Sequence, residues 1–275
     1  MWKQLADRFR RAPVVPVVRL SGVIAPGGRL GRGGLSIETV APLLKRAFDT
    51  RRARAVAFAV NSPGGSPVQS SLIGQRIRAL SAEKGLPTIA FVEDVAASGG
   101  YWLACAADEI VADPSSVVGS IGVVSAGFGF AGLLDRIGVE RRVHTSGDRK
   151  AMLDPFRPER ADEVERLKAL QVEIHDDFKA WVRARRDGRL KGDEATLYSG
   201  EFWTGRRGLE LGLVDSLGEL RGTLRARYGE DVRLPVIGPR RGLLARAGLG
   251  ARLEELAPGA LDAMEERALW ARYGR

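Results

Sequence analysis

Two short apolar runs, each leading into a pair of glycines and then into a helical pattern, constrain this chain more than any other feature. Residues 55–60 lead into Asn61-Ser62-Pro63-Gly64-Gly65, and residues 87–92 lead into Val95-Ala96-Ala97-Ser98-Gly99-Gly100-Tyr101. Near-continuous apolar runs of this length read as strands buried on both faces, the habit of parallel sheets. Helical periodicity follows each run, at 68–82 and at 101–107. A helix is also predicted at 37–50, where Val40, Leu43, Leu44 and Ala47 recur at helix spacing. Further strands are expected at 14–24, with Pro13 and Pro16 marking an edge, and at 108–112, 117–124 and 139–145. A helix is expected at 127–137. This alternation predicts an α/β fold with mostly parallel pairing.

From residue 158 the character changes. Residues 159–186 read as one long helix carrying Val164, Leu167, Leu170, Ile174, Phe178 and Trp181 as a stripe for core or subunit contact. Residues 201–218 read as a short helix closed by glycine, a strand and a glycine turn. Residues 243–273 read as one or two amphipathic helices broken at Pro258. The domain organisation expected is a segment at 1–13, a main domain at 14–238 and a helical tail at 239–275.

The formal net charge is +9, yet the basic residues are spread along the chain without a nucleic-acid motif, so no nucleic-acid partner is expected. The single cysteine, Cys105, cannot form an internal disulfide and reads as packing. No apolar run approaches the ~20 residues of a membrane span. Residues 1–13 lack the apolar core of a signal peptide. Within them Trp2, Leu5 and Phe9 share a helical face beside Lys3, Arg8, Arg10 and Arg11. Such a helix fits either an anionic membrane surface or the protein's own body. The resulting expectation is a cytoplasmic chain with a peripheral face toward the inner membrane.

Ser98 stands at a strand-to-helix junction among small residues. A serine there is ordinarily an N-cap, but the first free N–H groups of the helix also suit a developing negative charge. A serine nucleophile needs a base. His144, in the strand expected before Ser146, and His175, on the long helix, are the only histidines, and both read as edge residues. Lys150, one of only seven lysines, is the better candidate. A lysine shielded from water gives up its proton, whereas an arginine does not. Ser120, in Gly119-Ser120-Ile121-Gly122-Val123, is placed to orient that amine, or else bonds its own backbone as a turn serine. The N–H groups of Gly65 and Gly99 are candidate oxyanion donors.

These stretches, with Ser146-Gly147 before Lys150 and Thr204-Gly205-Arg206 through Gly212-Leu213-Val214-Asp215, stand in the order of one family. The chain resembles the signal peptide peptidase A family, serine peptidases with a Ser–Lys dyad on the Clp-protease/crotonase fold, a spiral of strand-strand-helix units. The resemblance covers about 14–222. It implies Ser98 as nucleophile, Lys150 as general base, Ser120 as the lysine's partner, and Gly65 and Gly99 as oxyanion donors. It also implies peptide substrates, such as signal-peptide remnants or unfolded polypeptides, a ring-like homo-oligomer, and no cofactor or metal. Members usually carry an N-terminal membrane anchor, and some are tandem duplications; this sequence shows one copy and no such anchor. A crotonase-type acyl-CoA enzyme, with Glu93 or Asp94 moving the proton, and a silent scaffold of the same fold are the competing readings.

Overall fold

The computed structural model describes residues 12–26, 34–238 and 267–274. Its centre is a parallel trio: β1 (Val17–Ser21), β2 (Val56–Ser62) and β3 (Thr88–Ala97). Val18 pairs with Phe58, and Phe58 with Ala90. β2 is buried on both faces, as its unbroken apolar run requires. The remaining strands are β4 (Glu109–Ala112), β5 (Val117–Gly119), β6 (Phe202–Thr204), β7 (Ser216–Leu217) and β8 (Val236–Ile237). Among the described residues they form one sheet in the order β6-β5-β3-β2-β1-β8, with β4 pairing to β3 and β7 to β4. The β5–β6 ladder is antiparallel and the other named ladders are parallel. The mixed α/β class with a mostly parallel sheet is therefore the fold observed.

Helices α1 (Ile37–Phe48), α2 (Pro67–Lys84) and α3 (Gly99–Cys105) pack with the sheet in the larger core cluster, which includes Leu44, Phe58, Ile73, Ile77 and Tyr101. Their ends are specified locally. Ser36 and Thr39 form a capping box at α1. Ser66 caps α2, Pro67 opens it, and Gly85 closes it in the left-handed conformation. A second cluster, with Val15, Ala57, Phe91 and Leu224, lies under the later helix α8 (Leu220–Tyr228), which periodicity did not reveal.

β3 changes partner along its length. Residues Ile89–Val92 pair with β4, and Val95–Ala97 pair with β5. The ladder to β2 shifts register between Val60 and Ser62. Side chains satisfy the backbone at this break. Asn61 accepts from Val95 N–H at 3.2 Å and donates to Asp94 at 2.8 Å. The Ser116 hydroxyl donates toward the carbonyls of Val92 and Glu93. A buried backbone group without a partner is costly, so the break needs these side chains.

Three segments depart from the sequence reading. Residues 139–145, expected as a strand, carry no strand; Val139 and Val143 are 51% and 44% exposed. Alternation marks a segment able to pair, but here residues 135–150 are exposed, so the pattern meets no core face that would fix it as a strand. The strand expected at 117–124 ends at Gly119, because Ser120 takes a positive φ of 53° and leaves the ladder. The helix expected at 127–137 is shortened to α4 (Ala131–Ile137), none of whose residues is buried. The long helix α5 (Ala161–Arg185) buries Phe178 and Val182, but Leu170 and Val172 are 47% and 57% exposed. The stripe thus meets the core only in its second half. Of the expected helical tail, 267–271 is helical; 239–266 and the 1–11 segment lie outside the described residues.

The short helices α6 (Glu194–Leu197) and α7 (Gly205–Glu210) complete the domain. Tyr101 donates its buried hydroxyl to the Leu213 carbonyl at 2.8 Å. Asp215 accepts from Ile110 N–H at 2.7 Å and from the fully buried Arg186 guanidinium at 2.7 Å, while Arg186 also reaches the Gly212 carbonyl. Tyr101 and the Gly212–Asp215 stretch therefore hold the core rather than the chemistry. Burial of Asp215 opposes its charge, but Arg186 and the Ile110 N–H outweigh it and hold the carboxyl below its ordinary value. A lowered folded-state pKa contributes stability above the unfolded value, ~3.9 for Asp, which is lost as pH falls through the folded value. We expect Asp215→Asn to cost about 3 kcal/mol at pH 7, since Arg186 is left uncompensated. The deficit should shrink as pH falls below about 4, where the unfolded carboxylate protonates first and the native one only at lower pH. Urea unfolding at both pH values checks this; a pH-independent deficit would count against it.

Candidate active site

Ser98 follows the last paired residue of β3, and Ser120 follows the last residue of β5. Because Ala97 pairs with Gly119, the two serines emerge side by side. Both have φ values that non-glycine residues rarely adopt, 52° and 53°. Such conformations cost about 1–3 kcal/mol and persist where the surrounding structure enforces them. For Ser98 the enforcement is visible: its N–H donates to the Gly119 carbonyl at 2.8 Å and its own carbonyl starts α3. Its side chain makes no capping bond, so the ordinary reading of a serine at this position does not apply. The half-buried hydroxyl faces a cleft of about 470 Å³.

The oxyanion candidates meet at the same place. Ile24 N–H donates to the Gly64 carbonyl and Ser66 N–H to the Ile24 carbonyl, an alternation that turns Gly65 N–H to the opposite side. A side chain on Gly65, whose φ is 139°, would collide with the Ile24 carbonyl. A Cβ on Gly99 would stand 3.4 Å from Gly65 N. With the Ser98 N–H already committed, Gly99 supplies the first N–H of α3 that lies beyond the intrahelical ladder. The Gly64–Gly65 turn thus packs against the start of α3 beside Ser98.

Ser98, Ser120, Gly65 and His175 all line this cleft, as do Leu269, Arg272 and Tyr273. His175 is half-buried with Nε2 3.1 Å from the Ile121 carbonyl, which places it on the cleft wall rather than at an outer helix edge. Nothing in its sequence position showed this; it follows from how α5 crosses the loop after Ser120. Tyr273 is the other lining residue the sequence did not reveal, and its hydroxyl donates to Ser120 Oγ at 3.2 Å.

Lys150 is not among the lining residues. It is exposed, in a turn where its N–H bonds the Gly147 carbonyl, on the arm formed by residues 122–160. His144 is exposed on the same arm. Glu93 and Asp94 line a separate cleft of about 420 Å³ with Asp113 and Ser116, so neither shares the Ser98 cleft. Cys105 is buried, and burial pushes its thiol up to about 12, which leaves it unreactive.

A serine held on a strained strand-to-helix turn, with no capping bond and with glycine backbone against it, has the local geometry of a nucleophile elbow. The Peptidase family S49 model matches residues 81–230. A Brucella abortus protein named Na(+)/H(+) antiporter NhaA is 53% identical over 97% of this chain, which spans 38% of that protein. The chloroplastic serine protease SPPA of Arabidopsis thaliana is 31% identical over 75% of this chain, covering 31% of its own length. The chain thus corresponds to less than two fifths of either relative. In fold it is similar to the 1510-N membrane-bound stomatin-specific protease, solved as a mutant with a substrate peptide. That likeness has a TM-score of 0.52 at 14% identity, covering 86% of this chain and 96% of that one. The chain belongs to peptidase family S49. Among the described residues no helix is long and apolar enough to cross a membrane.

Proposed function

We propose that this domain is a serine endopeptidase that cleaves unfolded or signal-derived peptides through an acyl-enzyme on Ser98. The observation that carries the reading is the strained Ser98 with its hydroxyl uncommitted, beside the Gly65 and Gly99 N–H groups. Ser98 Oγ attacks the scissile carbonyl, the carbonyl oxygen takes the negative charge toward the two N–H groups, and the amine leaves with a proton. Water then hydrolyses the ester. Lys150 serves as the base, with Ser120 orienting its amine.

Because Lys150 lies outside its own Ser98 cleft, the reading includes a ring in which one protomer's arm reaches the next protomer's cleft. The arm supports this. Phe128 is 82% exposed, and Val124, Leu133 and Ile137 are exposed with it. Large apolar side chains along one exposed stretch suit a contact with another protomer. A location beside a membrane draws support from the Brucella relative, a longer protein with an antiporter's name. The expected contact of residues 1–11 with anionic lipid belongs to the same proposal. Treatment with a fluorophosphonate probe, followed by mapping of the adduct, should find the label on Ser98; a label elsewhere sinks the assignment.

A further inference from the structure

The arm that carries Lys150 is tied to α5 by one buried carboxylate. Glu163, in the first turn of α5, is 5% exposed, whereas residues 135–150 of the arm are exposed. Its Oε2 accepts from Leu153 N–H at 2.8 Å and its Oε1 from the Arg157 guanidinium at 2.6 Å. Arg157 in turn donates to the Ala151 carbonyl. Leu153 holds a φ of 56°, which a leucine rarely adopts and which the bond to Glu163 helps to enforce. The other half of the arm converges on the same turn. Phe130 N–H donates to the Pro155 carbonyl at 2.6 Å, the Phe130 ring stacks on Phe156 at 5.5 Å, and Arg141 donates to Asp154 at 2.9 Å. Residues 153–157 are thus the root of the arm. Glu163 fastens that root to a helix whose far end is held in the core by Phe178 and Val182.

We propose that Glu163 is a positioning residue for Lys150: its carboxylate sets where the arm presents the lysine amine, without touching the reacting atoms. The inference rests on Lys150 as the base. Lys150 stands three residues before Leu153, within about 10 Å of chain, so a rotation at Leu153 is carried to the amine. A buried carboxylate needs its partners, which is why Glu163 holds the turn in one conformation rather than several. Glu163 is not among the residues lining the Ser98 cleft, so its loss should leave peptide binding in place.

The test compares the full chain with Glu163→Ala, Glu163→Gln and Lys150→Ala. A displacement of about 1 Å at a reacting group costs on the order of a hundredfold, so Glu163→Ala should lower kcat about a hundredfold with KM within twofold of wild type. Glu163→Gln keeps a carbonyl oxygen for the Leu153 N–H and should lose only about tenfold. Subunit assembly, read by gel filtration, should be that of wild type in both. A readout independent of the chemistry is hydrogen exchange: the Leu153 amide should exchange about tenfold faster in Glu163→Ala. A kcat within twofold of wild type in Glu163→Ala overturns the inference. So does a fall in kcat matched by an equal rise in KM or by altered assembly, since that marks a general structural role. Unchanged exchange at Leu153 rejects the brace whatever kcat does. An active Lys150→Ala rejects the base and this role with it, whereas an inactive Lys150→Ala beside an active Glu163→Ala rejects the role of Glu163 alone.

Discussion

Replacing Ser98 by alanine should abolish peptide hydrolysis and fluorophosphonate labelling while leaving the fold intact. Removing a nucleophile that acts as a unit with its base costs on the order of 10⁶ in turnover where it has been measured. Stability should change little, by about 0.5 kcal/mol, because the Ser98 side chain makes no capping bond. The positive φ remains, since Gly119 still accepts the N–H of residue 98. Turnover and urea unfolding measured on the same preparation separate the two effects. Full activity in the variant would falsify the assignment of the nucleophile.

The second large effect is recovery of activity from two dead chains. Lys150→Ala and Ser98→Ala should each be inactive as homo-oligomers. When they are refolded together at equal amounts, about a quarter of head-to-tail interfaces should join an intact Ser98 to an intact Lys150. Activity should return to about that fraction of wild type. Zero activity, with mixing verified by pull-down of a tagged subunit, would mean that Ser98 does not use a neighbour's Lys150. Lys150→Arg should be as inactive as Lys150→Ala, since a guanidinium does not accept the proton. Activity retained in His175→Ala would separate the lysine from the histidine that shares the Ser98 cleft.

The parallel strands, the glycine turns and the Ser98 junction were legible in the sequence, since each depends on residues within a few positions of one another. The apolar run at 55–60 requires burial on both faces wherever it lies. Gly65 meets a backbone conformation that a side chain would obstruct, and Ser66-Pro67 begins a helix in most contexts. Tertiary structure decided what those local pieces serve. The Ala97–Gly119 register sets Ser98 beside Ser120, and no spacing along the chain encodes a pairing across more than twenty residues. The same applies to Asn61, which stitches a break in β3, and to Tyr101, which ties α3 to Leu213. Residues 139–145 carry a strand-like pattern that meets no core face, and they are exposed coil. His175 and Tyr273 reach the cleft only through the packing of α5 and of residues 267–274. Periodicity and turn chemistry act through local backbone geometry, whereas site membership is fixed by strand register and helix packing, which bring together groups that the chain separates.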